Sequence, residues 1–381
     1  MEESNLNLRT PGPIPVPDEI LNAMSKPMSN HRGPEFKKIL YKVTDQLQQV
    51  FSTNSDIFIL TSSGTGAMEA AIVNTLSPGD KVLCATIGNF GDRFGQIAKN
   101  FGAQVTMLSF DEGKAVEIDS LRNALVADSN IKAVLVTHNE TNTGVTNDLE
   151  SISKVVKGEF DKLLLVDGIS SLCSVSLKTD DWGCDVVISA SQKGWMLPPG
   201  LAFISFSERA WEAYSESNMP KFYFDLAQYR KYFEIGQPPY TPGLSVIYAL
   251  DLALDAILNE GMEKIFNRHA QIGKFTRSSI RSLGLSIFPQ EDIASNTVTA
   301  VKSPKNLDAT KLIARLREGD NIILAGGYGE LKGKIFRIGH MGYTQKSDIQ
   351  EVVEALRRTL PKLGFSIPTE KIQTAQIRNT I

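Results

Sequence analysis

Cysteine is almost missing from this chain: Cys84, Cys173 and Cys184 are the only three among 381 residues. An odd number with no C-x-x-C pair excludes a disulfide framework and a cysteine-built zinc site, and predicts buried, reduced thiols in a cytoplasmic protein. Histidine is nearly as scarce. His31, His138, His269 and His340 stand far apart without an H-x-x-x-H pair, so no metal site is expected. No apolar run approaches the roughly 18 residues that span a bilayer. An excess of one charge is lacking too: 40 basic and 43 acidic residues leave a net charge of −3, which disfavours nucleic acid or an anionic membrane as a partner. The opening residues, MEESNLNLRTPG, are acidic and polar, unlike a signal or transit peptide.

What the chain does have is alternation. After a proline-rich, extended arm (residues 1–17), in which Pro11, Pro13, Pro15 and Pro17 forbid helix, a helix is expected to open near Asp18. Seven short apolar runs follow, at 56–62, 80–86, 104–110, 132–138, 162–168, 184–190 and 201–207, with helical patterns between most of them. Several are unbroken Val/Ile/Leu, which suits strands covered on both faces. The expected fold is α/β: a doubly wound, mostly parallel seven-stranded sheet in a large domain (18–255). A long helical stretch over 245–284, interrupted near Gly261, leads into a smaller C-terminal α+β domain (256–366) with strands at 297–303, 321–327 and 334–340. A polar tail, 367–381, closes the chain.

Open α/β sheets bind ligands at the carboxyl ends of their strands, so the residues just past each run carry the chemistry. Past the first lies SGTGAMEA, small residues entering a helix, which either cap it or offer free N–H groups to a phosphate. Past the second, Phe90 either plugs the core or stacks on a flat heterocycle. Past the fourth, NETNTGV is a turn or a set of ligand-facing polar groups. Asp167 ends the fifth run, where a carboxylate is costly to bury unless it caps a helix or meets a positive ligand atom. Lys193 follows the sixth, between VVISAS and WMLPPG. A lysine in so apolar a setting has a lowered pKa, and its neutral amine forms Schiff bases with carbonyl compounds. A phosphate cradle, a flat face, an acid for a pyridinium and an imine-forming lysine are together what pyridoxal 5′-phosphate needs.

With those residues in place, the chain resembles the class V aminotransferases, fold-type I pyridoxal-phosphate enzymes, and among them the alanine–glyoxylate and serine–pyruvate aminotransferases. The likeness runs from about Thr10 to Leu363 through TPGP, SSGTGAMEAA, HNETNTGV, LLLVDGISSL, SQKGWMLPPG, YTPGLSVIYAL and FRIGHMGY, in order. The resemblance implies that Lys193 is the catalytic residue, holding the cofactor as a Schiff base and later moving a proton. It implies Asp167 on the pyridine nitrogen, Phe90 stacked on the ring where relatives often have tryptophan, and Thr141 on the ring hydroxyl. Phosphate contacts fall to Gly64, Thr65, Gly66 and Gln192. Tyr240 and Thr241, in PPYTPG, match the segment that reaches the cofactor of a neighbouring subunit, so a homodimer with shared active sites is implied. Arg337 would grip the substrate α-carboxylate, a task that suits a guanidinium fork, with Gly12 lining the same pocket.

The implied reaction is ping-pong transfer of an amino group from a small amino acid to a keto acid such as glyoxylate or pyruvate. A dicarboxylic donor needs a second cation. Arg32, Arg230 and Lys231 are candidates, but no motif places them, so alanine or serine is expected ahead of aspartate, 2-aminoethylphosphonate or a purine-catabolic amine. A lyase of the cysteine-desulfurase type is the second reading, opposed by the lack of any cysteine after Cys184. A binding protein on a borrowed fold is the third. Some members carry labels as hydrogenase-associated subunits, but the Lys/Asp/Arg set speaks for an enzyme.

Overall fold

In a computed structural model, which describes residues 6–368, the seven runs lie side by side in one sheet. They are β1 (Asp56–Leu60), β2 (Lys81–Thr86), β3 (Gln104–Ser109), β4 (Ile131–Thr137), β5 (Leu163–Asp167), β6 (Val186–Ala190) and β7 (Ala202–Phe206). Across the sheet the order is β1-β7-β6-β5-β4-β2-β3. All neighbours are parallel except β7, which runs antiparallel to both β1 and β6. The reason is the connection. A parallel partner needs a long crossover, and between β6 and β7 there is only the loop that carries Lys193.

Alternation sends successive side chains to opposite faces. Val134, Val166 and Val187 join one core with Phe36, Phe51 and Trp195; their neighbours Leu135, Leu165 and Ile188 join the other with Met68, Ile72 and Phe94. The helices α1 (Pro34–Phe51), α2 (Gly64–Thr75) and α3 (Asn89–Asn100) supply these outer layers. The expectation of cover on both faces fails at one edge. There β3, the edge strand, has only exposed and half-buried positions, with Met107 42% exposed, because no further strand pairs with it among the described residues.

The long helical stretch divides at Gly261 (φ +86°) into α4 (Leu244–Glu260) and α5 (Met262–Ser282). Ile265 near the start of α5 packs in the large core, and Ile272 and Ile280 in a third one, so this helix bridges the two. The third core lies on an antiparallel sheet of β8 (Ser286–Ile287), β9 (Val298–Lys302), β10 (Ala325–Gly326) and β11 (Ile335–Gly339), in the order β8-β9-β11-β10. The run expected as one strand over 321–327 is two. Ala325–Gly326 pairs with β11, while Ile322–Ile323 pairs in parallel with Asn7–Leu8 of the arm. The arm is fixed further by Gly339 N–H on the Arg9 carbonyl, 2.6 Å, and by the buried Arg9 guanidinium on Thr344, 2.9 Å. No helix among the described residues is long and apolar enough to cross a membrane. Most of the expected polar tail lies outside the described residues.

Candidate active site

The loops at the carboxyl ends of β1, β2, β4, β5 and β6 surround a cavity of about 260 Å3. Lys193, Asp167, Gln192 and Thr141 line it together with Gly64, Thr65, Phe90 and Gly12. The Lys193 side chain turns toward the arm, where its amine donates to the Pro11 carbonyl. Gly12, with φ +113°, presses on that side chain: a Cβ there would stand 2.7 Å from Lys193 Nζ. Burial lowers the amine pKa to about 8; Asp167 and Glu140 oppose the shift, and Arg337 and Arg93 add to it.

Asp167 is the last residue of β5. Its oxygens accept the Ile169 N–H at 2.9 Å and the Thr137 hydroxyl at 3.3 Å. Burial nevertheless raises its pKa to about 6, against those bonds and the positive charges of Lys193 and Arg93. A buried acid so placed is stabilised by a cation, and the N–H of a pyridinium is one.

Small residues allow the helix N-terminus to come close. A Cβ on Gly64 would lie 2.5 Å from Ile169 Cδ1, and one on Gly66 would lie 2.9 Å from the Phe224 ring. Ser63 is the N-cap of α2, but no side chain caps this end, so its first N–H groups are free for an anion. Gly66 itself is one step past the cavity lining. Gln192 does line it, and its side-chain oxygen is buried without a partner.

Phe90 belongs to the first turn of α3 and not to a loop, as its N–H on the Glu140 carboxylate (2.8 Å) shows together with the helix bounds. Arg337, on β11, is 2% exposed. Its Nε donates to Gly326 O at 2.7 Å and its Nη1 to Thr141 O at 3.0 Å, and no carboxylate pairs with it among the described residues. The Tyr328 ring covers it, centroid 4.7 Å from Cζ, so Arg337 stands just behind the lining. Tyr240 and Thr241 are not part of this cavity. Tyr240 donates its hydroxyl to Phe222 O at 3.0 Å and stacks on Tyr223, centroids 5.1 Å apart, while Thr241 is exposed. These residues form a separate aromatic surface with Phe222, 79% exposed.

Three residues of the site escaped the sequence reading. Arg93 lines the cavity, its guanidinium 5.0 Å from the Phe90 ring centroid and 3.3 Å from Thr65 Oγ1. Its position three after Phe90 on a helix was the available signal. Tyr328, in a Gly-rich loop, gave none. Glu140 is buried, with a pKa raised to about 7 by desolvation against three backbone N–H bonds, and it stands next to Thr141 in a stretch readable as a turn. The residues weighed for a dicarboxylic donor lie elsewhere. Arg230 pairs with Asp56 (3.2 Å) at the opposite end of β1, Arg32 bonds Gln237 (2.9 Å), and Lys231 is exposed. All three cysteines are buried, and burial raises the Cys84 thiol to about 12, so none is a ready nucleophile.

The family described as Aminotransferase class-V matches residues 18–352. The chain is 42% identical over 361 residues to the soluble hydrogenase small subunit of a Synechococcus strain, covering 94% of both. It is 36% identical to the L-aspartate–glyoxylate aminotransferase of Paracoccus denitrificans, covering 94% of this chain and 91% of that one. Its fold superposes on the alanine–glyoxylate aminotransferase of a Nostoc species with a TM-score of 0.91 at 32% identity, over 94% of this chain and 96% of that one. Matched by the family model over most of its length and by relatives that span nearly all of it, the chain belongs to the class V aminotransferases: it is a pyridoxal-phosphate-dependent transaminase of fold-type I.

Proposed function

We propose that this enzyme carries the amino group of a small amino acid, alanine or serine, to glyoxylate or pyruvate in a ping-pong cycle, as a cytoplasmic homodimer with shared active sites. One observation carries the reading. Lys193 and Asp167 line the cavity and Arg337 stands just behind it; all three are buried, and none is in a salt bridge among the described residues. Buried ionisable groups with hydrogen bonds but no salt bridge leave room for a ligand that complements them, and these suit an aldehyde, a protonated ring nitrogen and a carboxylate.

Pyridoxal phosphate, when bound, supplies the aldehyde and an electron-withdrawing ring. The protein does the rest. The Lys193 amine would hold the aldehyde and would serve as the group that moves the proton at the substrate Cα. Asp167 keeps a proton on the ring nitrogen. The α2 N–H groups, Thr65 and Gln192 hold the phosphate, with Arg93 drawn to the same end through Thr65. Phe90 would lie against the ring, Thr141 would hold its hydroxyl, and Arg337 would bind the substrate α-carboxylate while Gly12 leaves room beside Lys193. The bond to Thr65 turns Arg93 toward the helix end, away from a donor side chain, which favours a donor without a distal carboxylate. Among the described residues Arg93 has no acidic partner, so aspartate is the rival donor.

The exposed aromatic surface of Phe222, Tyr223 and Tyr240 beside Thr241 supports the homodimer. Phe224, next in the chain, reaches Gly66 of α2, which links this surface to the site. The test is the purified protein loaded with pyridoxal phosphate, assayed with alanine, serine and aspartate against glyoxylate and pyruvate. A visible absorbance band lost in Lys193→Ala, with alanine or serine the best donor, is expected. Preference for aspartate replaces the small-donor reading, and a band that survives Lys193→Ala removes the whole assignment.

A further inference from the structure

A second cavity, of about 320 Å3, adjoins the first, with Asp92, Glu112 and Glu330 at its walls. Among the described residues Tyr328 alone lines both spaces. Neighbours in sequence face opposite ways across the partition: Phe90 and Thr141 line the first cavity, Asn89 and Asn142 the second. A string of hydrogen bonds sets it. The Glu140 carboxylate accepts the N–H of Phe90 and that of Asn142, each at 2.8 Å, and the Asn142 side-chain oxygen accepts the Tyr328 N–H at 2.8 Å. The Tyr328 ring is therefore held 4.7 Å from Arg337 Cζ and meets the Phe90 ring edge-on at 6.3 Å. A donor gripped by Arg337 must pass beside it.

We propose that Tyr328 is the residue that restricts the donor to small side chains, and that the acidic space behind it decides which larger donors its removal admits. The proposal rests on the transamination reading above. With the phenol present, a side chain longer than that of serine meets the ring. With the phenol gone, the two spaces join. A donor ending in an ammonium then faces carboxylates of opposite charge, and one ending in a carboxylate faces repulsion. Tyr328 acts as a wall, not as a chemical participant.

The test uses the pyridoxal-phosphate-loaded enzyme with glyoxylate as acceptor and alanine, serine, ornithine or glutamate as donor. Tyr328→Ala is expected to raise the ornithine-to-alanine ratio of kcat/KM by about tenfold or more, the scale on which a changed pocket wall discriminates. Glutamate should stay as poor as in the wild type. Tyr328→Phe, which keeps the ring, should keep the wild-type preference, and adding Glu112→Gln to Tyr328→Ala should shrink the ornithine gain. An unchanged ratio in Tyr328→Ala overturns the proposal, and an equal gain for glutamate overturns its charge-selective half. A wild type that shows the visible band yet transaminates neither alanine nor serine overturns the parent reading instead. Tyr328 is 50% exposed on a loop, so the variant should fold; if it does not, Tyr328→Leu reads the same ratio.

Discussion

The Lys193 amine lies against the Pro11 carbonyl and the Gly12 backbone, where burial favours its neutral form. Only that form attacks an aldehyde. The rate at which cofactor-free protein takes up pyridoxal phosphate should therefore rise as pH increases through about 8, followed by growth of the visible band. The signs of the neighbouring charges give a second check. Asp167 holds the amine pKa up, so Asp167→Asn should move the midpoint to lower pH; Arg337 holds it down, so Arg337→Gln should move it higher. A midpoint that ignores both changes would mean that the amine is solvated. The residues that chemistry singles out were legible from sequence because each broke a rule: a lysine and an acid at the ends of apolar runs. Glu140, Arg93 and Tyr328 broke none. Their positions depend on which loops meet in space, and one sequence does not show that.

At the scale of elements, what fixes the sheet lies at the end away from the site. Asp185, 4% exposed and just before β6, takes both Lys157 Nζ (2.8 Å) and the Leu164 N–H of β5 (2.8 Å), tying the π-helical segment Lys154–Glu159 to two strands. Lys157→Met leaves that carboxylate uncompensated. We expect a loss of about 3 kcal/mol in urea unfolding, at the low end for one partner of a buried pair, with donor kinetics of the folded enzyme unchanged. The inner strands of the large sheet were readable from their apolar runs, because burial on both faces leaves little polar alternation to confuse them; the edge strand β3 was found from its own run, although it is only half covered. The run at 321–327 misled for the same reason. No polar residue interrupts it after Asn321, but its two halves serve different partners, the arm and β11. The antiparallel direction of β7 was hidden too, although the short Pro/Gly-rich loop before it leaves no room for a crossover.

For the whole molecule, the homodimer proposed above makes the exposed rings of Phe222 and Tyr223 the surface to test for contact with a second copy. The double variant Phe222→Glu/Tyr223→Glu should sediment at half the wild-type mass and lose activity together with assembly. A monomeric wild type, or a monomeric variant of full activity, would remove the shared-site reading.

The seating of Lys193 also has a temporal side. Its amine rests on Pro11, and the segment bearing Pro11 is pinned by Ile322, Ile323 and Gly339, far along the chain. A ribosome therefore delivers the lysine and the strands around it well before it delivers the clamp that finishes their surroundings. The surroundings of the amine are thus completed only once residues 322–339 have been made.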